Sequence, residues 1–223
     1  MTGIVLQTRL GSTRLPRKAL LPFGRGTLLE SSMRRLRRVR ADAYVLATEP
    51  KSADELEPLA QAYGFELFVG PEDDVLARYC GAIEKIGLDV VVRATGDNPF
   101  VSCEAASDLL ADPLTAESDY SAYTGMPLGF GVEIVKASTL LVAGRESEDP
   151  YEREHVCPFL YRRPERFRIY TPTAPDKYRA PDTEITVDTV LDYEHALSAV
   201  MACGENPSSE CLAEWLRSPD GRY

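Results

Sequence analysis

Short β-branched runs alternate with longer amphipathic stretches through the first half of the chain, and no other feature narrows the fold as far. Residues 3–7, 44–47, 65–69 and 89–93 read as strands, with helices predicted over 28–39, 54–63 and 74–86. Within 28–39, Leu29, Met33 and Leu36 recur at i, i+4 and i+7, the spacing of one buried helix face. The pattern loosens after residue 100. A helix is expected over 102–110, while 112–129 is rich in turn formers, with a short strand near Tyr120. Residues 131–135 and 167–170 read as strands separated by helical material that includes 152–161. The stretch 172–181 carries three prolines and reads as a loop, 184–187 as a strand, and 192–201 and 210–216 as closing helices. No repeat, low-complexity tract or linker interrupts this order. The expected fold class is therefore α/β, a mainly parallel central sheet flanked by helices in one domain spanning 1–223.

Charge sharpens the picture. The chain has 25 Lys and Arg against 35 Asp and Glu, a net charge of −10, which argues against a protein that coats nucleic acid. The excess is uneven: residues 1–40 hold ten Lys and Arg against the single acid Glu30, a net of +9, leaving −19 for the remainder. With 44% hydrophobic residues the chain can bury a substantial core, yet no run is long enough to span a membrane. The apolar run before Arg9 is too short for a secretory signal. The five cysteines (Cys80, Cys103, Cys157, Cys203 and Cys211) are scattered and lack C-x-x-C spacing, the pattern of reduced thiols in a cytoplasmic protein. Only His155 and His195 offer imidazoles, so any metal is expected to be Mg²⁺ or Mn²⁺ held by carboxylates and phosphates.

The loop after the first strand, Gln7-Thr8-Arg9-Leu10-Gly11-Ser12-Thr13-Arg14-Leu15-Pro16-Arg17-Lys18, lies at a strand's carboxyl end, where open α/β sheets bind ligands. Glycine and small hydroxyl residues let backbone N–H groups approach an anion, arginines offer forked donors, and lysine adds a mobile point charge. That combination suits a triphosphate. Neither G-x-x-x-x-G-K-[ST] nor G-x-G-x-x-G is present, and a basic surface loop paired with acids elsewhere is the plainer alternative.

This loop resembles the signature of the nucleoside-monophosphate sugar transferases, which typically read Q-A-R-x-G-S-T-R-L-P-x-K here. That group includes CMP-Kdo synthetases, acylneuraminate cytidylyltransferases and, nearest in motif, the spore-coat polysaccharide cytidylyltransferase-like branch. The likeness continues in order through 45–48, 74–79, Arg93-Ala94-Thr95-Gly96-Asp97-Asn98-Pro99, 131–133, Arg153-Glu154-His155-Val156 and 186–189. It implies a GT-A-like nucleotide-diphospho-sugar transferase fold. It also implies transfer of CMP from CTP, or of another NMP from its NTP, to a hydroxyl of a small acidic acceptor, with pyrophosphate released. Gln7, Arg9, Gly11, Ser12, Arg14, Lys18, Thr48, Arg78 and Asp97 would then serve the nucleotide, with Arg9, Lys18 and Asp97 catalytic. The nucleotide half would cover 1–111 and the acceptor half 112–223, the latter a place where a homodimer could form. The common family pattern has Gly where this chain has Arg17.

Two aspartates could hold the cation. Asp97 follows the strand at 89–93 and Asp188 closes the one at 184–187, and the resemblance implies that both are metal ligands. Helix capping is the alternative for each. On the acceptor side the resemblance points to Glu133 and His155, and Arg93 and Arg153 could pair with a carboxylate or simply with neighbouring acids. Asp192 and His195 read as structural. The basic helix with Arg34, Arg35, Arg37, Arg38 and Arg40 reads as a solvated or paired face rather than a partner surface. A GT-A glycosyltransferase would show a paired D-x-D motif, absent from Asp97-Asn98-Pro99. A non-catalytic nucleotide-binding relative would have no need of Arg9, Lys18, Asp97 and Asp188 together.

Overall fold

A computed structural model describes residues 1–221. The chain opens with β1 (Thr2–Gln7), a long loop, a hairpin of β2 (Pro22–Phe23) and β3 (Gly26–Thr27), and then α1 (Leu28–Leu36). β4 (Ala43–Thr48), α2 (Pro50–Ala62), β5 (Glu66–Val69), α3 (Val75–Ile86) and β6 (Val90–Thr95) follow in regular alternation. The second half carries α4 (Cys103–Ala111), α5 (Pro113–Glu117), β7 (Tyr120–Ser121), β8 (Glu133–Lys136), α6 (Ala137–Glu146), α7 (Pro150–His155), α8 (Pro158–Tyr161), β9 (Ile169–Tyr170), α9 (Val190–Cys203) and α10 (Ser209–Arg217).

Seven strands form one sheet in the order β5-β4-β1-β6-β8-β7-β9. The first four run parallel, β8 is antiparallel to both β6 and β7, and β9 pairs parallel with β7. Strand alternation divides the core. Ile4, Leu6, Leu46, Val92, Ala94 and Ile134 face one side with Leu29, Met33 and Leu36 of α1. Val5, Val45, Ala47, Val91 and Val135 face the other, against Leu76, Tyr79 and Ile83 of α3 and Leu140 of α6. A third cluster, including Leu15, Phe100, Phe130, Val187, Ala196 and Leu212, ties α9 and α10 to the loop after β1. That cluster brings the end of the chain back to its beginning.

The basic helix is resolved by its neighbours. Arg35 is buried, donating from Nε to the Val101 carbonyl at 2.7 Å and from Nη1 to Pro207 at 3.0 Å. Arg34 reaches the Tyr63 hydroxyl at 3.2 Å, Arg37 lies 3.9 Å over the Tyr44 ring, and Arg38 pairs with Glu104 at 3.1 Å. Four of the five arginines thus hold α1 to the rest of the chain.

Several elements differ from the sequence expectation. Residues 184–187 form no strand beyond an isolated parallel bridge between Glu184 and Leu128. Their backbone is spent on Leu128, through the Ile185 N–H at 2.9 Å, and on Asp97, through the Val187 N–H at 2.9 Å. The helix expected over 152–161 is two short helices, α7 and α8, broken at Val156. α6 falls within the stretch expected to be helical, whereas α2 begins at Pro50, capped by Glu49, rather than at 54. Among the described residues no helix is long and apolar enough to cross a membrane.

Candidate active site

Parallel pairing sets the site. β1 and β6 run in register from Thr2↔Val90 to Gln7↔Thr95, so the loops leaving both strands emerge side by side. The Gly96 N–H donates to the Gln7 carbonyl at 2.8 Å, and a Cβ at Gly96 would come within 2.6 Å of Thr8 Oγ1. Glycine is required there by this close approach. The basic loop is pinned by Leu10 and Leu15, each 9% exposed, in two separate core clusters. Its Leu10 N–H donates to Ser52 Oγ at 2.9 Å, and that hydroxyl donates to the buried Glu49 that caps α2. Arg17 takes φ 57, ψ 28, the left-handed conformation that glycine adopts most readily, and its guanidinium is held by Glu55.

The loop, the β6 end and the segment before α9 converge on Lys18. Its Nζ donates to Asp97 Oδ2 at 3.0 Å, to Asp188 Oδ1 at 2.6 Å and to the Val187 carbonyl at 2.9 Å. The two carboxylate oxygens are therefore no more than 5.6 Å apart, the sum of the two contacts. Arg14 adds an ion pair to the other oxygen of Asp188 at 2.9 Å. Thr95 Oγ1 donates to Asp97 Oδ1 at 2.6 Å and accepts from Asn98 Nδ2 at 3.0 Å, which orients the carboxylate. Neither aspartate caps a helix: Ser102 caps α4, and Thr189 caps α9 in a capping box with Asp192. The capping alternative for both is excluded.

Two cavities meet at this point. The first, about 310 Å³, is lined by Gln7, Thr8, Arg9, Ser12, Thr13, Arg14, Lys18, Ala19, Arg93, Thr95, Gly96, Asp97, Glu154, His155 and Asp188. The second, about 620 Å³, lies between the β6 end and the segments 122–133 and 182–188. They share Arg93, Thr95, Asp97 and Asp188 as a common wall. Arg93 is paired with Glu133, which also accepts from the Tyr120 hydroxyl at 2.9 Å. Burial alone would lower the Arg93 pKa, but the facing Glu133 carboxylate more than offsets it and holds the guanidinium firmly charged.

Of the residues the sequence nominated, Gln7, Arg9, Ser12, Arg14, Lys18, Arg93, Asp97, His155 and Asp188 line the first cavity, and Glu133 lines the second. Gly11, Thr48 and Arg78 line neither. Arg78 is fully buried, where desolvation lowers its pKa, and its Nη1 holds the carbonyls of Pro71 at 2.8 Å and Glu72 at 3.2 Å. Arg153 is committed to Asp74 and to the carbonyls of Gly144 and Ser147. His195 packs against Trp215 and bonds the Gly221 carbonyl at 3.0 Å, a structural place. Sequence reasoning did not single out Thr95, which sits inside the Arg93–Pro99 motif, or Glu154, next to His155 in its motif.

Among the described residues no group of three or more His, Cys, Asp or Glu side chains could hold a metal ion alone. The Asp97–Asp188 pair still fits a cation that takes its remaining ligands from phosphate and water, since Mg²⁺ bound to a nucleotide usually keeps one or two protein carboxylates. Lys18 occupies the space between them and satisfies both in the meantime.

A basic loop at the end of β1 and two carboxylates on the rim of an α/β sheet suit a triphosphate and its cation, and comparison with known proteins gives the class, a nucleotidyltransferase. The chain belongs to the cytidylyltransferase family, whose model matches residues 3–206. It is 36% identical over 227 residues to the spore coat polysaccharide biosynthesis protein SpsF of Bacillus subtilis (strain 168), covering 97% of this chain and 94% of that protein. A cytidylyltransferase structure from Leptospira borgpetersenii superposes with a TM-score of 0.88 at 28% identity, covering 97% of this chain and 93% of that one. The structure of CMP:2-keto-3-deoxy-manno-octonic acid synthetase complexed with CTP shares the fold, with a TM-score of 0.68 at 17% identity over 90% of this chain and 98% of that one.

Proposed function

We propose that the protein transfers CMP from CTP to a hydroxyl of an acidic sugar or related acidic metabolite, releasing pyrophosphate, in cell-surface polysaccharide or glycoconjugate synthesis. The observation that carries this reading is the common wall of the two cavities, where Asp97 and Asp188 converge on Lys18. The first cavity, with Arg9, Arg14 and Lys18, receives the triphosphate; the second receives the acceptor. The relative named for spore coat polysaccharide biosynthesis and the CTP-bound neighbour support the nucleotide and the biosynthetic setting.

In the reaction the acceptor oxygen bonds to the α-phosphorus, the bond from that phosphorus to the α,β-bridging oxygen breaks, and its electron pair leaves with pyrophosphate. The acceptor hydroxyl gives up its proton to solvent water. Arg9, Arg14 and Lys18 hold the β- and γ-phosphates and offset the charge that grows on them, so positioning and electrostatics supply most of the rate. Mg²⁺ or Mn²⁺ held by Asp97 and Asp188 would add charge neutralisation at the α-phosphate when bound. Lys18 then exchanges its carboxylate partners for phosphate oxygens. Arg93 is the one cationic side chain lining the second cavity among the described residues, and it is where an acceptor carboxylate is met. The test is pyrophosphate release with each of the four NTPs against acidic and neutral sugars. Release with CTP and an acidic acceptor supports the reading, and equal use of neutral sugars removes the acidic acceptor from it.

A further inference from the structure

α7 ends at Val156 in an uncommon way. This β-branched residue sits at φ 73, ψ −63, and the Cys157 N–H donates to the His155 carbonyl at 2.9 Å, closing a three-residue γ-turn of the rare positive-φ form. Val156 is fully buried in the core that also holds Cys157, Phe159 and Leu160. Backbone held in so sparsely populated a region persists only where its surroundings over-determine it, and such places gather at functional sites. The surroundings here are explicit. Glu152 is buried and accepts from Ser147 Oγ at 2.7 Å and from Arg163 Nη1 at 2.7 Å, while Arg153 is clamped to Asp74. Anchored by these two residues, the helix delivers its last two, Glu154 and His155, to the wall of the first cavity beside Arg9, Arg14 and Lys18. Glu154 lies 3.9 Å from the Arg9 guanidinium, and the Tyr151 ring, 4.2 Å away, supports the imidazole. His155 does not line the second cavity.

We infer that His155 acts on the nucleotide side, donating a ring N–H to a phosphate oxygen of the bound triphosphate, and that the strained turn at Val156 aims it there. This rests on the nucleotidyl-transfer reading above and changes the partner of His155 from the acceptor to the leaving group. As the bond to the bridging oxygen breaks and its electron pair passes to pyrophosphate, the N–H stabilises that charge without moving a proton. Val156 is a positioning residue, and His155 is the group that touches substrate.

The experiment compares His155→Ala, His155→Gln, Val156→Gly and the wild type. Direct titration with CTP and with pyrophosphate is combined with kcat, both KM values and Tm. His155→Ala should lower kcat/KM for CTP on the order of 10²-fold, as loss of one preorganised donor does. It should weaken pyrophosphate binding and leave the acceptor KM unchanged. His155→Gln keeps a donor and should recover part of the loss. Val156→Gly, free to leave the γ-turn, should move the CTP and pyrophosphate parameters in the same direction with His155 intact. A rise in acceptor KM alone after His155→Ala overturns the assignment. A Val156→Gly variant that lowers Tm but leaves nucleotide parameters untouched overturns the positioning role. Wild-type protein that binds CTP yet transfers to no acceptor refutes the transfer reading, while the binding titrations still decide His155.

Discussion

Replacing Lys18 with methionine isolates what holds the site together before substrate arrives. The Lys18 side chain is 14% exposed, and its ammonium sits between the side chains of Asp97 and Asp188, 29% and 30% exposed, with oxygens no more than 5.6 Å apart. Methionine keeps the bulk of the stem and removes the charge. Each lost charge-assisted hydrogen bond is worth about 1.5–3 kcal/mol. With Lys18 gone, two carboxylates at this separation repel by about 3 kcal/mol at an effective dielectric of 20, and partial exposure and the remaining Arg14 pair to Asp188 reduce that further. Relaxation of the two aspartates toward solvent offsets part of the sum, and a net loss of about 3 kcal/mol is expected. For a chain of this size that lowers Tm by about 6–12 °C. The assay is thermal and urea denaturation of the metal-free protein at low ionic strength, for Lys18→Met, Asp188→Asn and the double variant. The double variant has one carboxylate fewer to repel and should recover about 2 kcal/mol relative to additivity. Millimolar Mn²⁺ should raise the Tm of Lys18→Met more than that of the wild type, because the two carboxylates then lack their resident cation. A Tm loss below about 2 °C, or strict additivity, would show that Lys18 does not hold the two carboxylates together.

Further consequences are open to the same kinds of assay. Asp97→Asn should reduce turnover on the order of 10³-fold with an unchanged circular dichroism spectrum, because no helix depends on Asp97 as a cap; near-normal turnover with Mg²⁺ would remove it from the site. Burial pushes the Glu152 carboxyl up, but hydrogen bonds from Arg163 and Ser147 outweigh it and leave the group below its ordinary 4.5. Its contribution is thus complete above 4.5 and lost as pH falls through its lowered value, so the roughly 2 kcal/mol penalty of Glu152→Gln at pH 7 should shrink progressively in urea titrations carried below pH 4.5. Arg17→Gly exchanges an exposed ion pair with Glu55 for a residue at ease with φ 57, so urea unfolding should place the variant within about 1 kcal/mol of the wild type.

How far these features could be read beforehand follows from where their causes lie. The short apolar runs of β1, β4 and β6 and the Leu29, Met33, Leu36 stripe are local patterns, and they announced the parallel half of the sheet. The loop after β1 was legible because donor-rich chemistry and its position at a strand end coincide. Residues 184–187 show the limit: their β-branched composition matches a strand, but their hydrogen bonds go to Leu128 and Asp97, neither of which local pattern can reveal. The same holds for the basic helix, whose charges are answered by Val101, Pro207, Tyr44, Tyr63 and Glu104 from other elements. Val156 was invisible for a different reason. Propensity argues against a valine at φ 73, so only the tertiary clamps on Glu152 and Arg153 explain it. The placement of His155 at the first cavity and not the second depends on that turn.

The proposed reaction joins a nucleoside triphosphate to an acceptor hydroxyl at the wall shared by the two cavities. It is tested most directly by following pyrophosphate release and the nucleotide product together, with CTP and a panel of acidic sugars, in the presence of Mg²⁺ and again with chelator. One pyrophosphate per CMP transferred, release that requires the acceptor, and loss of both signals in Asp97→Asn are expected. Acceptor-dependent transfer that proceeds undiminished in Asp97→Asn, or no pyrophosphate release from any of the four triphosphates with any acceptor, would contradict it.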